Sequence, residues 1–338
     1  MKESIQSILI VRQHDQLGDM LCVVPLLRSV RVMFPESQIT LVTSPVNYEI
    51  MKHHPYVDDV LNYDKLSFFP SMIEAVKFWK SLRSTKYDMA IVPATVSVSV
   101  TSDLIAFLSG ARIRIGASGL LGKTNPTAFC FTHTTDLDWS NDPHRHQSLR
   151  NLDVIKFMNP PVEDLSCVIG LTEQEQEDAR SFLRSFRDDH KLLVGLHVGA
   201  GKVENRWSAE RFAAIANRIS LEYQAGILIT VGPKDSDLVE IMKQHIQVPS
   251  IFVQNHPIRS VAAIINELDF FISNDTGIMH VAGATKTSLL ALFGPTDPLQ
   301  WMSQGAKNRY IASRNGSMDS IPEAQVCSLL TQMINEKN

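Results

Sequence analysis

The stretch Phe270-Phe271-Ile272-Ser273-Asn274-Asp275-Thr276-Gly277-Ile278-Met279-His280 joins an apolar run to a small polar turn and then to a helix-compatible run. That order reads as a β-strand, a tight turn and the start of an α-helix. The first turn of such a helix directs unpaired backbone N–H groups and the positive end of the helix dipole outward, which suits a phosphate. Asp275 can accept hydrogen bonds from a hydroxylated ligand, Thr276 can donate through its hydroxyl, and Gly277 lets the backbone approach a bulky anion. Asp and Thr are also ordinary helix caps, so a purely structural helix start fits the same residues.

The same grammar extends in both directions. Strands are predicted at 5–11, 38–42, 57–63, 89–92 and 112–116, and helices at 19–34, 71–83 and 102–108. The helix at 71–83 carries the apolar set Ile73, Val76, Phe78 and Leu82. A polar, turn-rich region covers 118–161. Strands then follow at 192–197, 227–231, 251–253, 270–273 and 288–293, with helices at 208–223, 236–245, 260–266 and 277–284. After Gly294-Pro295 the tail is loop-rich, and a helix over 323–334 starts behind Pro322. Alternating units of this kind imply an α/β protein with parallel sheets covered on both faces. Two such halves in series predict two Rossmann-like domains facing each other across a cleft, with ligands beyond the carboxyl ends of the strands. The boundaries read as 1–160, 161–320 and a C-terminal helix at 321–338 that packs back on the N-terminal domain.

Bulk properties narrow the function. A length of 338 residues accommodates two domains, and 44% apolar with 20% charged residues is a globular composition. Net charge of −4 weighs against a dedicated nucleic-acid binder. Cys22, Cys130, Cys167 and Cys327 lack C-x-x-C spacing, so neither a zinc site nor a disulfide framework is expected, and a reducing cytoplasm fits best. The apolar run Ile8–Val11 is too short for a signal peptide or membrane span before Arg12 ends it.

Candidate chemistry lies at the predicted strand ends. The first strand runs into Arg12-Gln13-His14-Asp15-Gln16-Leu17-Gly18-Asp19. Asp19, expected to be solvent-accessible, could act as a general base on an acceptor hydroxyl or simply cap its helix. His14 and Asp15 are rival bases in the same loop. The second half opens with Leu193-Val194-Gly195-Leu196-His197-Val198-Gly199-Ala200-Gly201, which lacks the third glycine of a dinucleotide fingerprint because Glu204 stands there. Ser208 reads as a helix cap with Arg211 at the third helical position. Arg206 just before it offers a planar donor fork for a diphosphate, or is a surface arginine. Trp207 reads as packing. Asp235 or Asp237, after the strand ending in Val231-Gly232, could bind ribose hydroxyls or cap a helix. Three other patterns are set aside. Gly116–Thr124 has a phosphate-loop flavour, but Ala117 occupies the position of the required first glycine and Pro126 follows. Asp136-Leu137-Asp138 is a chance-level acidic pair, and His144-Arg145-His146 lacks metal-ligand spacing.

Taken together, Leu17-Gly18-Asp19 with Pro25-Leu26-Leu27-Arg28, His197-x-Gly199-Ala200 with Arg206-Trp207, Asp275-Thr276-Gly277-x-x-His280 and Phe293-Gly294-Pro295-Thr296-Asp297-Pro298 resemble glycosyltransferase family 9, the ADP-heptose:lipopolysaccharide heptosyltransferases. His146-x-x-x-Arg150-Asn151-Leu152 and Ser317-Met318-Asp319-x-Ile321 are similar to it as well. The resemblance implies a GT-B fold, with an acceptor-binding first domain and a nucleotide-sugar-binding second domain. It implies inverting heptose transfer with neither metal nor cofactor, at the cytoplasmic side and in peripheral contact with the inner membrane. Asp19 would be the base. Asp275 would hold the donor sugar, the N–H groups of Thr276 and Gly277 and the side chain of Arg206 would bind the diphosphate, and Asp235, with Asp237 in reserve, the ribose. Gly199 and His280 belong to the same donor-binding motifs. Arg206 stands where many members have lysine, and the loop from Arg12 to Asp19 is one residue longer than in the family, which brings Asp15 near the acceptor. Arg12, Arg112, Arg114 and Lys123 are the basic candidates for an acidic, lipid-linked acceptor. Three further readings share the fold: transfer of another sugar to a surface glycan, an epimerase acting on the nucleotide sugar with no acceptor, and a non-catalytic sugar-nucleotide-binding protein.

Overall fold

The computed structural model describes residues 5–64, 72–232 and 235–337. The chain forms two compact units, Met1–Gly170 and Leu171–Asn338. The boundary lies beyond the expected 160/161 because residues 161–170 are fastened to the first unit. Arg28 Nη2 donates to the Ser166 carbonyl at 2.8 Å, and Cys167 Sγ donates to the Leu21 carbonyl at 3.1 Å.

The first unit runs β1 (Ser7–Val11), α1 (Leu17–Leu21), α2 (Val24–Met33), β2 (Gln38–Thr43), α3 (Pro45–Met51), β3 (Asp59–Asn62), α4 (Met72–Ser84), β4 (Met89–Ile91), α5 (Val100–Leu108), β5 (Ile113–Leu120), β6 (Lys123–Thr124), β7 (His133–Leu137) and α6 (Gln147–Leu152). Its sheet has the order β3-β2-β1-β4-β5-β6, with β7 also paired to β5. All pairs are parallel except β5 with β6. The predicted helix at 19–34 is two helices. Pro25 has no N–H to donate to the Leu21 carbonyl, so α1 stops and α2 starts with Pro25 near its beginning. The region 118–161 is more ordered than expected: Gly116–Thr124 forms most of a strand and a hairpin, whose turn residues Leu121 and Gly122 have φ of 50° and 74°. In α4, Phe78 and Leu82 are buried while Ile73 and Val76 are exposed, so the inward stripe is narrower than the apolar set. Ser71, the expected start of that helix, lies outside the described residues.

The second unit runs α7 (Glu173–Asp188), β8 (Leu192–His197), α8 (Ala209–Tyr223), β9 (Ala225–Thr230), α9 (Ser236–His245), β10 (Ser250–Val253), α10 (Ile258–Asn266), β11 (Phe270–Asn274), α11 (Gly277–Gly283), β12 (Ser288–Phe293), α12 (Pro298–Trp301), β13 (Arg309–Ala312) and α13 (Glu323–Lys337). The sheet is wholly parallel in the order β10-β9-β8-β11-β12-β13. Helix α7, unanticipated, is launched by a capping box between Thr172 and Glu175. Contrary to expectation, α13 belongs to the second unit: Val326, Leu330 and Ile334 share one core with Leu196, Phe212, Ile272 and Leu292. Among the described residues no helix is long and apolar enough to cross a membrane.

Candidate active site

In each sheet the first strand is the point where growth reverses direction. β2 and β4 flank β1, as β9 and β11 flank β8. Loops diverge there, leaving a crevice at the carboxyl ends of the two central strands. Both predicted clusters fall at these crevices.

In the first unit, Arg12 leaves β1 and turns into the crevice. Its Nη1 donates to the Pro93 carbonyl at 3.2 Å and its Nη2 to Thr95 Oγ1 at 3.1 Å, both in the loop after β4. The same Nη2 lies 3.3 Å from Asp19 Oδ1. Gly18 and Asp19 sit on the short α1, which folds the carboxylate back over β1. Arg12 is 2% exposed and Asp19 6%, so Asp19 is buried rather than open as expected, and Arg12 is its partner rather than a free acceptor ligand. Burial lowers the pKa of Arg12 and the charge of Asp19 partly offsets this. A guanidinium starting above 12 remains charged at any ordinary pH. The pair engages one carboxylate oxygen and leaves Oδ2 outside it. Of the rival bases, Asp15 is exposed and His14 half-buried.

Arg112 and Arg114 do not belong to this site. The register Ile8↔Met89↔Ile113 puts Arg112 level with the start of β1, about 16 Å of strand from Arg12. Arg114 donates to the carbonyls of Cys130 at 2.6 Å and Ala111 at 2.7 Å. Lys123 is exposed on β6, at the carboxyl end of β5.

In the second unit, Asn274 ends β11 and organises the crevice. Its Nδ2 donates to the carbonyls of Val198 at 3.0 Å and Gly199 at 3.2 Å, and its Oδ1 accepts from the Trp207 N–H at 3.0 Å. One buried amide thus clips both ends of the loop between β8 and α8. Trp207 packs as anticipated, edge-on to Phe212, and Ser208 caps α8 by accepting from the Arg211 N–H at 3.3 Å. Inside the clipped loop, Asn205 Nδ2 donates to Asp275 Oδ2 at 3.2 Å and reaches Thr296 Oγ1 at 3.4 Å. Burial raises the pKa of Asp275, while Thr296 and the charge of Lys202 pull it back. Asn205, Thr296 and Lys202 were absent from the expected site. Thr296 lies in the segment Phe293-Gly294-Pro295-Thr296-Asp297-Pro298, at the carboxyl end of β12.

Arg206 donates through Nη2 to Asp235 Oδ1 at 2.8 Å and through Nε to the Ala200 carbonyl at 3.2 Å. A Cβ on Gly199 would meet Asp235 Oδ2 at 2.1 Å, and one on Gly232 would meet it at 2.8 Å. Glycine is therefore required at 199 for close packing against this carboxylate. Asp235 is buried and taken by Arg206, not open to a ribose as expected. Asp237 is exposed in the first turn of α9. Pro233 and Lys234, between the strand and this pair, lie outside the described residues. Thr276 precedes α11, and Gly277 begins it. His280 is buried, its ring edge-on to Trp301 with centroids 6.3 Å apart, which is a packing position.

His197, at the end of β8, bonds Thr230 Oγ1 through Nδ1 at 2.9 Å, and burial lowers its pKa to about 4. Burial, helped by Arg28, does the same to His54 in the first unit, also to about 4. An unfolded histidine takes up its proton near pH 6.5. Above that pH neither residue affects stability. Between pH 6.5 and pH 4 only the unfolded chain is protonated, so each unit loses stability as pH falls, by about 3 kcal/mol at the low end. Urea midpoints should therefore fall from pH 7.5 to pH 5, and His197→Gln should flatten that dependence for the second unit. A midpoint unmoved over that range contradicts the buried neutral rings.

The comparisons with known proteins agree with these motifs. The profile of glycosyltransferase family 9 (heptosyltransferase) matches residues 75–330, more than half of the chain. Lipopolysaccharide heptosyltransferase 3 of Escherichia coli is 24% identical over 296 residues, covering 84% of this chain and 82% of that protein. Among solved structures, a family 9 glycosyl transferase from Veillonella parvula superposes with a TM-score of 0.87 at 22% identity over 99% of each chain. The E. coli heptosyltransferase WaaC with ADP gives 0.76 at 15% identity, over 97% of this chain and 100% of that one. At these identities the structures establish the fold, two Rossmann-like domains of GT-B type. The matched profile adds the lineage: the chain belongs to glycosyltransferase family 9 and is a glycosyltransferase.

Proposed function

We propose that this enzyme moves a heptose from ADP-heptose to a lipopolysaccharide-core acceptor, inverting the anomeric centre without a metal. The observation that carries the reading is Asp19, a buried carboxylate held at the carboxyl end of β1 by Arg12. Fixed in this way, it accepts the proton of the acceptor hydroxyl as that oxygen attacks the anomeric carbon. The nucleoside diphosphate leaves as the carbon–oxygen bond to phosphate breaks. Arg206 and the N–H groups of Thr276 and Gly277 take up the charge that builds on its oxygens, with Lys202 adding a cation beside Asp275. Asp275 accepts hydrogen bonds from the sugar hydroxyls. The buried Asn205 Oδ1, without a partner among the described residues, is a second acceptor for them. With Asp235 engaged by Arg206, Asp237 is the carboxylate left for the ribose. Similarity to a lipopolysaccharide heptosyltransferase and to a heptosyltransferase with ADP supports the donor and acceptor. In this reading the enzyme works at the cytoplasmic face of the inner membrane and reaches its lipid-linked acceptor by peripheral contact.

Incubation with ADP-heptose and a heptose-deficient core acceptor, in excess chelator, tests this. Transfer should proceed undiminished. Transfer that stops with chelator and resumes with magnesium contradicts the metal-free step. Conversion of the donor in the absence of acceptor contradicts a transferase.

A further inference from the structure

Helix α5 has no polar outer face. Its sequence VTSDLIAFL contains one charged residue, Asp103, which is buried and accepts hydrogen bonds from Asn125 Nδ2 at 2.9 Å and Thr127 Oγ1 at 2.6 Å. Ile105 and Ala106 face the core, while Val100, Leu104, Phe107 and Leu108 are exposed. Phe129, 69% exposed, meets Phe107 edge-on with ring centroids 6.4 Å apart, and Val96 continues the exposed apolar line into the preceding loop. A helix apolar on all sides is normally covered.

Charge identifies the cover. Between Pro93 and His133 the charged residues are Asp103, Arg112, Arg114 and Lys123, and the one acid is inside. Arg114 lies over the Phe107 ring at 5.4 Å and donates to the neutral carbonyls of Ala111 and Cys130, with no ion pair to a carboxylate among the described residues. Arg112 and Lys123 are exposed. Asp138, Asp142 and Asp153 line a cavity of about 280 Å³ with Arg145 and Lys156, while Asp136 comes up beside the hairpin that carries Lys123. An exposed apolar helix bordered by Arg112 and Arg114 and, at the hairpin, by Lys123, in a chain of net charge −4, matches the surface of an anionic bilayer.

We infer that α5 and Phe129 are the membrane-docking face of the first unit, lying in the interface of an anionic lipid bilayer with Arg112, Arg114 and Lys123 at the headgroups. The face begins at Val96, next to Thr95, whose hydroxyl accepts from the arginine that holds Asp19. A lipid-anchored acceptor would thus meet the base without leaving the surface. This last point rests on the proposed transfer reaction, whereas the docking itself does not.

Co-sedimentation of the full chain with vesicles tests it, with no donor or acceptor present. Binding to phosphatidylglycerol/phosphatidylethanolamine vesicles should exceed binding to phosphatidylcholine vesicles and weaken with salt. Phe107→Ser/Phe129→Ser should lower the partition coefficient about tenfold or more. Arg112→Gln/Lys123→Gln should lower it about fivefold per charge on anionic vesicles, and it provides a second variant if the aromatic pair lowers Tm. Absence of binding at low salt, or binding by both variants equal to the wild type, overturns the inference. So does a dimer in sedimentation that Phe107→Ser/Phe129→Ser abolishes, since the face would then cover a second copy. Failure here leaves the transfer assay unaffected, and the reverse also holds.

Discussion

Asp19→Asn is expected to reduce turnover by about 10²–10⁴-fold, the usual contribution of a positioned general base, while donor affinity stays nearly unchanged. The amide keeps the shape of the carboxylate but cannot accept the acceptor's proton. A stability effect accompanies the catalytic one. Arg12 keeps its bonds to the Pro93 carbonyl and Thr95 but loses its ionic partner in a buried setting, which costs on the order of 3–5 kcal/mol. The two effects separate in the double variant Arg12→Met/Asp19→Asn. Removing both charges should recover much of the stability without recovering turnover. Substantial turnover in folded Asp19→Asn would remove Asp19 from the chemistry and return attention to Asp15, exposed in the same loop.

Arg206→Ala should weaken nucleoside diphosphate binding by about 10–100-fold, the worth of one or two charge-assisted hydrogen bonds, and leave binding of the nucleoside alone unaffected. Truncation also leaves Asp235 buried against Gly199 and Gly232 with no cation, so Tm should fall. Asp235→Asn distinguishes contact from orientation. It keeps the guanidinium but loosens its aim, and should weaken diphosphate binding less than Arg206→Ala does. Titration calorimetry with the nucleoside and its diphosphate reads both variants. Equal losses for the two ligands contradict a phosphate contact.

The alternation of strands and helices was legible because buried parallel strands read as apolar runs and the turns after β8 and β11 carry small residues. The break at Pro25 was missed: the helical pattern runs on from Asp19 to Phe34, and the proline divides it only because the first turn is fixed at Gly18-Asp19. The placement of Arg112 and Arg114 failed on strand polarity: residues at the start of a parallel strand lie at the opposite edge from those that follow its end. Three features could not be read from local sequence. Asp235 lies 29 positions from Arg206, and Asn274 lies 67 positions from the Trp207 N–H it binds. Such side-chain pairings exist only after the sheet is assembled. Arg12 and Asp19 are close in sequence, but whether they point at solvent or at each other depends on the loop after β4. The motif around Asp275 was visible as a helix start, whereas its neighbours Asn205 and Thr296 arrive from two distant loops.

A crystal structure of the protein with ADP tests the donor assignment most directly. The diphosphate oxygens should lie within hydrogen-bonding distance of the Arg206 guanidinium and of the backbone N–H groups of Thr276 and Gly277. A diphosphate bound instead at the crevice around Arg12, at the carboxyl ends of β1 and β4, would contradict it.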